Sequence, residues 1–106
     1  MPDIADKLDP IRKGLLEFAV LTVIASKKVY AADILTILHT TEFQTQEGTL
    51  YPLLSRMCRE GTVDYDWQES DVGPPRKYYR LTDKGKEQLE SLRSYWQKLS
   101  KTLKQK

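Results

Sequence analysis

The chain has 106 residues, of which 30% are charged and 40% hydrophobic, and its net charge is +2. This length suits one domain and excludes a catalytic domain joined to a second module. The single cysteine, Cys58, excludes an intrachain disulfide and a multi-cysteine zinc site, and we expect it to be a small core residue rather than a redox sensor. The single histidine, His39, likewise excludes a site built on several histidines. We therefore expect no cofactor, no metal and no enzymatic activity.

No stretch of the sequence suits a signal peptide or a membrane span. The first nine residues contain three aspartates and lack an apolar core. The longest apolar run, Phe18 to Ala25, is far shorter than the roughly 20 residues that a membrane span needs. We therefore expect a cytoplasmic protein with no membrane partner.

The basic charge is concentrated at the C-terminal end. Residues 83–106 hold seven Lys or Arg against three Asp or Glu, a net charge of +4, so the rest of the chain carries −2. A nucleic-acid-binding domain usually has a basic surface where it meets the phosphates. Charge alone therefore does not predict a nucleic-acid partner.

Three helices are predicted before Gly61. The first, from Ile11 to Ala25, is apolar on nearly every face; its β-branched residues would also fit a strand, but its length favours a buried helix. A second, short helix ending near His39 is predicted by apolar residues at helical spacing: Ala31, Ile34, Leu35 and Leu38. A third is predicted from about Gln46 to Arg59, because Gly61 is a natural helix terminator.

Beyond Gly61 the hydrophobic period changes to two. Val63, Tyr65 and Trp67 alternate with polar residues, which predicts a strand. We expect residues 69–75 to form a loop and residues 76–81 to form the returning strand. A hairpin that follows a third helix is typical of a winged helix-turn-helix, predicted here over residues 10–81.

A long last helix is predicted over residues 82–106, with Thr82 as its N-cap. Its apolar residues recur at alternating intervals of three and four, which is the narrow seam of paired helices. We expect this seam, together with Leu15 of the first helix, to join two copies of the chain: Leu89, Leu92, Trp96, Leu99 and Leu103. The predicted fold class is mainly α with a small β-hairpin, a winged helix-turn-helix plus a long C-terminal dimerisation helix, in one domain spanning residues 1–106.

Two segments resemble the PadR-type transcriptional regulators. Residues 48–61 (GTLYPLLSRMCREG) are similar to the recognition helix of that family, and residues 73–85 (GPPRKYYRLTDKG) to its wing and the start of its dimerisation helix. The short C-terminal region resembles the compact subgroup with a single dimerisation helix. Two positions depart from the family pattern: Tyr30 is preceded by Val29 rather than Gly, and Gln46 stands where Ser or Asn commonly caps the recognition helix.

The resemblance implies a homodimeric repressor that binds double-stranded DNA at a pseudo-palindromic operator. The third helix would enter the major groove, where an amide such as that of Gln46 suits adenine and hydroxyl groups suit phosphates. The expected DNA-binding residues are Gln46, Thr49, Tyr51, Pro52, Ser55, Arg56, Lys27, Lys28, Arg76 and Lys77. For Arg56, a merely solvated position on the helix face is the alternative.

The acidic hairpin leaves a second function open. Its Asp and Glu residues would repel phosphate, which reduces the contribution expected from the wing: Asp64, Asp66, Glu69 and Asp71. A winged helix used as a protein-interaction module, without sequence-specific DNA binding, is therefore the alternative to a repressor.

Trp96 has two interpretations. It fills the core of a dimer interface, or it flanks a hydrophobic cavity between subunits, as the flat aromatic residue of multidrug-responsive family members does. In the second case the resemblance implies a planar hydrophobic or cationic effector that releases the DNA. The cavity would then also involve Leu92, Phe18 and Glu17, with Glu17 favouring cations.

Overall fold

The computed structural model describes residues 4–104, which form four helices and a two-stranded hairpin. The helices are α1 (Ala5–Ser26), α2 (Ala31–His39), α3 (Glu47–Glu60) and α4 (Asp83–Leu103). The antiparallel strands β1 (Val63–Ser70) and β2 (Gly73–Leu81) lie between α3 and α4 in the chain. The predicted fold class is confirmed, and both ends of the predicted domain of residues 1–106 lie outside the described residues.

α1 begins at Ala5 rather than at Ile11, so its predicted start was wrong. Pro10 lies inside the helix, where its missing N–H removes only one hydrogen bond near the N-terminal end. The helical spacing of Ile4, Leu8 and Ile11 continues the apolar pattern of the later turns. The N-terminal half of α1 is therefore an amphipathic extension of the buried helix.

The predicted loop of residues 69–75 was also wrong, since the strands leave only Asp71 and Val72 between them. Gln68 pairs with Arg76 and Ser70 with Gly73, and the register shifts between these two pairs. A two-stranded sheet has only edge strands, and prolines are tolerated at edges and irregularities. Pro74 and Pro75 therefore fit β2, although in the sequence they indicate a loop.

The segment between α1 and α2 is joined to the hairpin. Val29 N–H donates to the Tyr79 carbonyl at 3.2 Å, and Tyr79 N–H donates to the Val29 carbonyl at 2.8 Å. This bridge holds the start of α2 beside β2, with Lys27 and Lys28 just before it.

The core lies where α1, α2 and α3 meet the hairpin and the start of α4. The largest fully buried apolar side chains of this core come from α1, α2, α3, β1 and the segment between α1 and α2: Val20, Leu21, Val29, Ile34, Leu50, Leu54, Met57 and Val63. From α4, Leu89 joins this core with only 3% of its surface exposed. Leu89 was expected in the dimerisation seam; that expectation was wrong, because α4 packs on α1 within the same chain at this level.

α4 begins as the sequence predicts. The hydroxyl of Thr82 accepts a hydrogen bond from Gly85 N–H at 3.0 Å, which satisfies one of the free N–H groups of the first turn. Asp83 lies in the same turn, where its negative charge is favourable.

Candidate nucleic-acid interface

The N-terminal end of α3 is open to a partner. Gln46 is its N-cap residue, and the Gln46 carbonyl accepts from Thr49 N–H at 3.0 Å and Leu50 N–H at 2.9 Å. The exposed Gln46 side chain makes no capping hydrogen bond. Gln46 and Thr49 line a polar groove of about 670 Å³ together with Arg12 and Lys13 of α1, two basic residues that were not predicted to lie here.

α3 presents one exposed strip along its length. Leu50, Leu54 and Met57 are buried on one side of the helix. On the opposite side the exposed strip consists of Gly48, Pro52, Ser55 and Arg59. Arg59 lies four residues after Ser55 and seven after Pro52, so the helical spacing of the sequence already places it on this strip. Its charge lies in line with two of the predicted DNA-binding residues.

The wing-side groove lies between α3, the start of α2 and β2, and has a volume of about 470 Å³. It brings together four residues predicted to bind DNA: Tyr51, Ser55, Arg76 and Lys77. The Arg76 guanidinium lies 5.3 Å from the ring centre of Tyr30, and Lys77 Nζ lies 4.5 Å from that of Tyr65. Cation–π attraction to these rings favours positions beside α3 for both charges.

Lys27 and Lys28 lie next to this groove. They line a smaller groove of about 270 Å³ with Tyr30 and Tyr78, whose ring centres are 4.7 Å apart. Tyr30 borders both grooves, so the groove that holds the two lysines adjoins the wing-side groove that holds Arg76.

Arg56 points to the other flank of α3. Its Nη2 donates to Glu17 Oε1 at 2.5 Å, and Gln88 Nε2 donates to Glu17 Oε2 at 2.8 Å. Arg56 therefore has a charged partner within the chain rather than standing free on the exposed strip. Glu17, expected to face a cavity beside Trp96, is bonded to α3 and α4 instead.

Two of the four acidic side chains of the hairpin share one arginine as their partner. Arg80 Nε donates to Asp64 Oδ1 at 2.7 Å, and Arg80 Nη1 donates to Asp66 Oδ2 at 2.5 Å. The hydrogen bond to Asp64 is the main reason that the pKa of Arg80 is raised. Asp64 and Arg80 are direct cross-strand partners, so only the pairing register could have identified this contact. Glu69 and Asp71 remain exposed near the tip of the hairpin.

Two titratable groups behind α3 are held in their neutral forms. Burial raises the pKa of the Cys58 thiol. Burial also raises the pKa of Tyr79 to about 12. Cys58 packs against the core, in agreement with its interpretation as a small core residue.

An apolar cavity of about 420 Å³ lies between α1, α2 and α4. Two of the residues expected at an effector site, Phe18 and Trp96, both line this cavity. The other lining residues are Leu15, Ala19, Thr22, Val23, Ile37, Leu38, Thr41 and Phe43. Leu92 and Glu17 line a different groove, between α1, α3 and α4. The lining of the cavity beside Trp96 contains no charged side chain among the described residues, so nothing in that cavity selects a cation.

The N-terminal half of α1 and the C-terminal half of α4 expose large apolar side chains. On α1 these are Leu8 and Ile11, and Ile4 at the N-cap of the helix adds a third. On α4 they are Tyr95, Trp96 and Leu103, and Trp96 is 45% exposed. Exposed apolar side chains that recur along one helix suit an interaction surface in a folded protein.

Two kinds of site are absent from residues 4–104. These residues hold no cluster of three or more His, Cys, Asp or Glu side chains that could bind a metal ion. None of the four helices is both long and apolar enough to cross a membrane.

The helix pair α2–α3, with the hairpin beside α3, defines a winged helix-turn-helix domain. Residues 20–91 match the model of the transcriptional regulator PadR-like family. The chain belongs to this family, whose members are transcriptional regulators and not enzymes.

Three solved structures show how far the similarity extends. A PadR-like transcription factor from Bacteroides fragilis is 40% identical, with a TM-score of 0.80 over 92% of this chain and 95% of that one. A PadR-like transcriptional regulator from Bacillus cereus is 41% identical, with a TM-score of 0.78 over 86% and 89% of the two chains. Bacillus subtilis PadR in complex with operator DNA is 22% identical, with a TM-score of 0.69; this chain covers 46% of it, and the likeness shows the fold alone.

Proposed function

We propose that this protein is a homodimeric repressor that binds a pseudo-palindromic DNA operator through α3 and the hairpin. The observation that supports this most strongly is the exposed strip of α3, which is flanked by the hydroxyl and cationic groups of the wing-side groove. A helix with one free face and basic side chains beside it suits a major groove with its bordering phosphates. The Bacillus subtilis relative of the same fold is seen with operator DNA.

Within this proposal the N-terminal end of α3 reads the bases. Gln46 presents a free amide that suits the paired donor and acceptor of adenine in the major groove. Thr49 and Tyr51 offer hydroxyl groups to phosphates, and Pro52 and Ser55 continue the surface in contact. Lys27, Lys28, Arg76 and Lys77 bind the backbone on the wing side.

We propose that the dimer forms through the apolar surfaces of α1 and α4. Leu92, Leu99 and Leu103 extend the exposed patch around Trp96, and Leu15 continues the stripe on α1 that begins at Ile4. Burying such side chains is favourable by about 25 cal/mol per Å² of apolar surface. A twofold dimer then holds two α3 helices about one turn of DNA apart, or a multiple of it.

We also propose that the cavity beside Trp96 binds the effector. Its apolar lining favours a planar hydrophobic molecule, and the position of Glu17 removes the reason to expect a cation. Such a ligand releases DNA only if it binds more tightly to the dimer whose α3 helices do not fit the operator. Quenching of Trp96 fluorescence by planar aromatic compounds at micromolar concentrations tests this binding.

The experiment that tests the repressor is the selection of duplexes from a random DNA pool, followed by fluorescence anisotropy. We expect a half-site repeat, an affinity that falls steeply with salt, and a loss of about 1–3 kcal/mol with relaxed preference at one base in Gln46→Ala. Gln97→Ala, on α4, is the matched control. A protein-interaction module would bind none of the duplexes.

A further inference from the structure

Glu17 is the point at which three helices meet through polar contacts. Both of its carboxylate oxygens are used, one by Arg56 of α3 and the other by Gln88 of α4. Elsewhere α3 packs mainly on α2 and β1, whereas α4 packs on α1 and β2. The carboxylate therefore joins the proposed DNA-reading helix to the two helices of the proposed dimer interface.

The surroundings of Glu17 strengthen these contacts. Its side chain is 21% exposed, and the groove around it includes the apolar side chains of Leu92 and Phe18. Partial removal of water makes charge-assisted hydrogen bonds stronger and more directional. Without this carboxylate, the Arg56 guanidinium would lose the partner that directs it toward α1 and α4.

We infer that Glu17 is a positioning residue, which fixes α3 relative to α1 and α4 by holding Arg56 and Gln88 and thereby sets the operator affinity. The inference rests on the proposed function for its DNA readout. Arg56 then belongs to the junction of α1, α3 and α4, formed by Glu17, Arg56 and Gln88, and does not contact phosphate.

Operator affinity separates these two roles of Arg56. A duplex selected from the random pool is titrated with the wild type, Glu17→Gln, Arg56→Gln and the double variant. Glu90→Gln, an exposed site on α4, controls for the loss of one negative charge. We expect each single change at the junction to weaken binding by about five- to tenfold, and the double variant to bind no more weakly than Arg56→Gln. The slope of log K against log salt stays that of the wild type, because no phosphate contact is lost.

The opposite pattern overturns the inference. If Arg56 binds phosphate, Glu17→Gln leaves affinity unchanged or raises it, and Arg56→Gln reduces the salt slope by about one.

Amide hydrogen exchange provides a readout that does not need DNA. We expect the amides of α3 to exchange faster in Glu17→Gln than in the control Glu90→Gln. The amides of α2 should be equally protected in the two variants. Equal protection of α3 in the two variants contradicts the positioning role. If the wild type binds no duplex at all, the proposed function fails, and the exchange pattern alone decides the role of Glu17.

Discussion

Gly85 of α4 lies so close to Thr62 that a Cβ at position 85 would overlap the carbonyl oxygen of Thr62. The same oxygen accepts a hydrogen bond from Thr82 N–H at 3.1 Å, and Thr62 is almost fully buried. The junction between the hairpin and α4 therefore has no room for a side chain at this position.

Gly85→Ala should lower the free energy of unfolding by about 3 kcal/mol, because backbone must move to admit the methyl group. Urea unfolding measures this change. Gly14→Ala is the matched control, since a Cβ at Gly14 meets no atom within 4 Å. Alanine in that helix should raise stability by about 0.5–1 kcal/mol. Equal stability of the two variants would show that the contact with Thr62 is not a constraint.

The buried Tyr79 predicts a loss of stability in alkali. Burial raises the pKa of Tyr79 from 10.0 to about 12. The folded protein thus holds the phenolic proton more tightly than the unfolded chain does. The contribution of neutral Tyr79 to the free energy of unfolding is therefore complete below pH 10.0 and is lost as the pH rises to about 12. Tyr79→Phe should flatten the decline in the free energy of unfolding over this range, whereas Tyr95→Phe, at an exposed site, should not. An unchanged decline in Tyr79→Phe would refute the assignment.

The two ion pairs of Arg80 should affect DNA affinity through the charge of the hairpin. Arg80→Gln removes the partner of Asp64 and Asp66 and leaves two uncompensated carboxylates on the hairpin. Duplex affinity should fall several-fold at low salt and less at high salt, since screening weakens the repulsion from phosphate. Fluorescence anisotropy at two salt concentrations measures this. Arg93→Gln, on an exposed site of α4, carries the same charge change; the prediction fails if both variants lose affinity equally.

A substitution at Ile11 tests the position of the proposed dimer interface. It is 58% exposed on α1, in line with Leu8. Ile11→Glu should give a folded monomer by sedimentation velocity at micromolar concentration, because the carboxylate would be buried in an apolar interface. Val72→Glu is the control: Val72 is 91% exposed at the hairpin tip, outside the proposed interface, and should leave the dimer intact. A dimeric Ile11→Glu variant would place the interface elsewhere.

Local patterns in the sequence were sufficient to predict most of the fold. Apolar spacing identified α2 and α3, Gly61 marked the end of α3, and Thr82 marked the start of α4, since each of these signals depends on near neighbours in the chain. The start of α1 and the length of the hairpin were predicted wrongly because proline commonly marks the end of a helix or strand. Here Pro10 lies inside α1, and Pro74 and Pro75 lie inside β2.

The site was less predictable because its contacts join distant parts of the chain. Glu17 and Arg56 lie on different helices, and nothing in the spacing of either indicates the other. The burial of Leu89 within its own chain depends in the same way on how α4 crosses α1. Residues on α3 itself, such as Tyr51 and Ser55, could be placed from the helical period alone.

The central claim is that two chains hold a matched pair of α3 helices on one duplex. Sedimentation of the protein with a duplex from the selected pool tests it directly through the mass of the complex. We predict a complex of two chains and one duplex at micromolar concentration, and a dimer in the absence of DNA. A well-folded single chain that sediments apart from every duplex would contradict the claim.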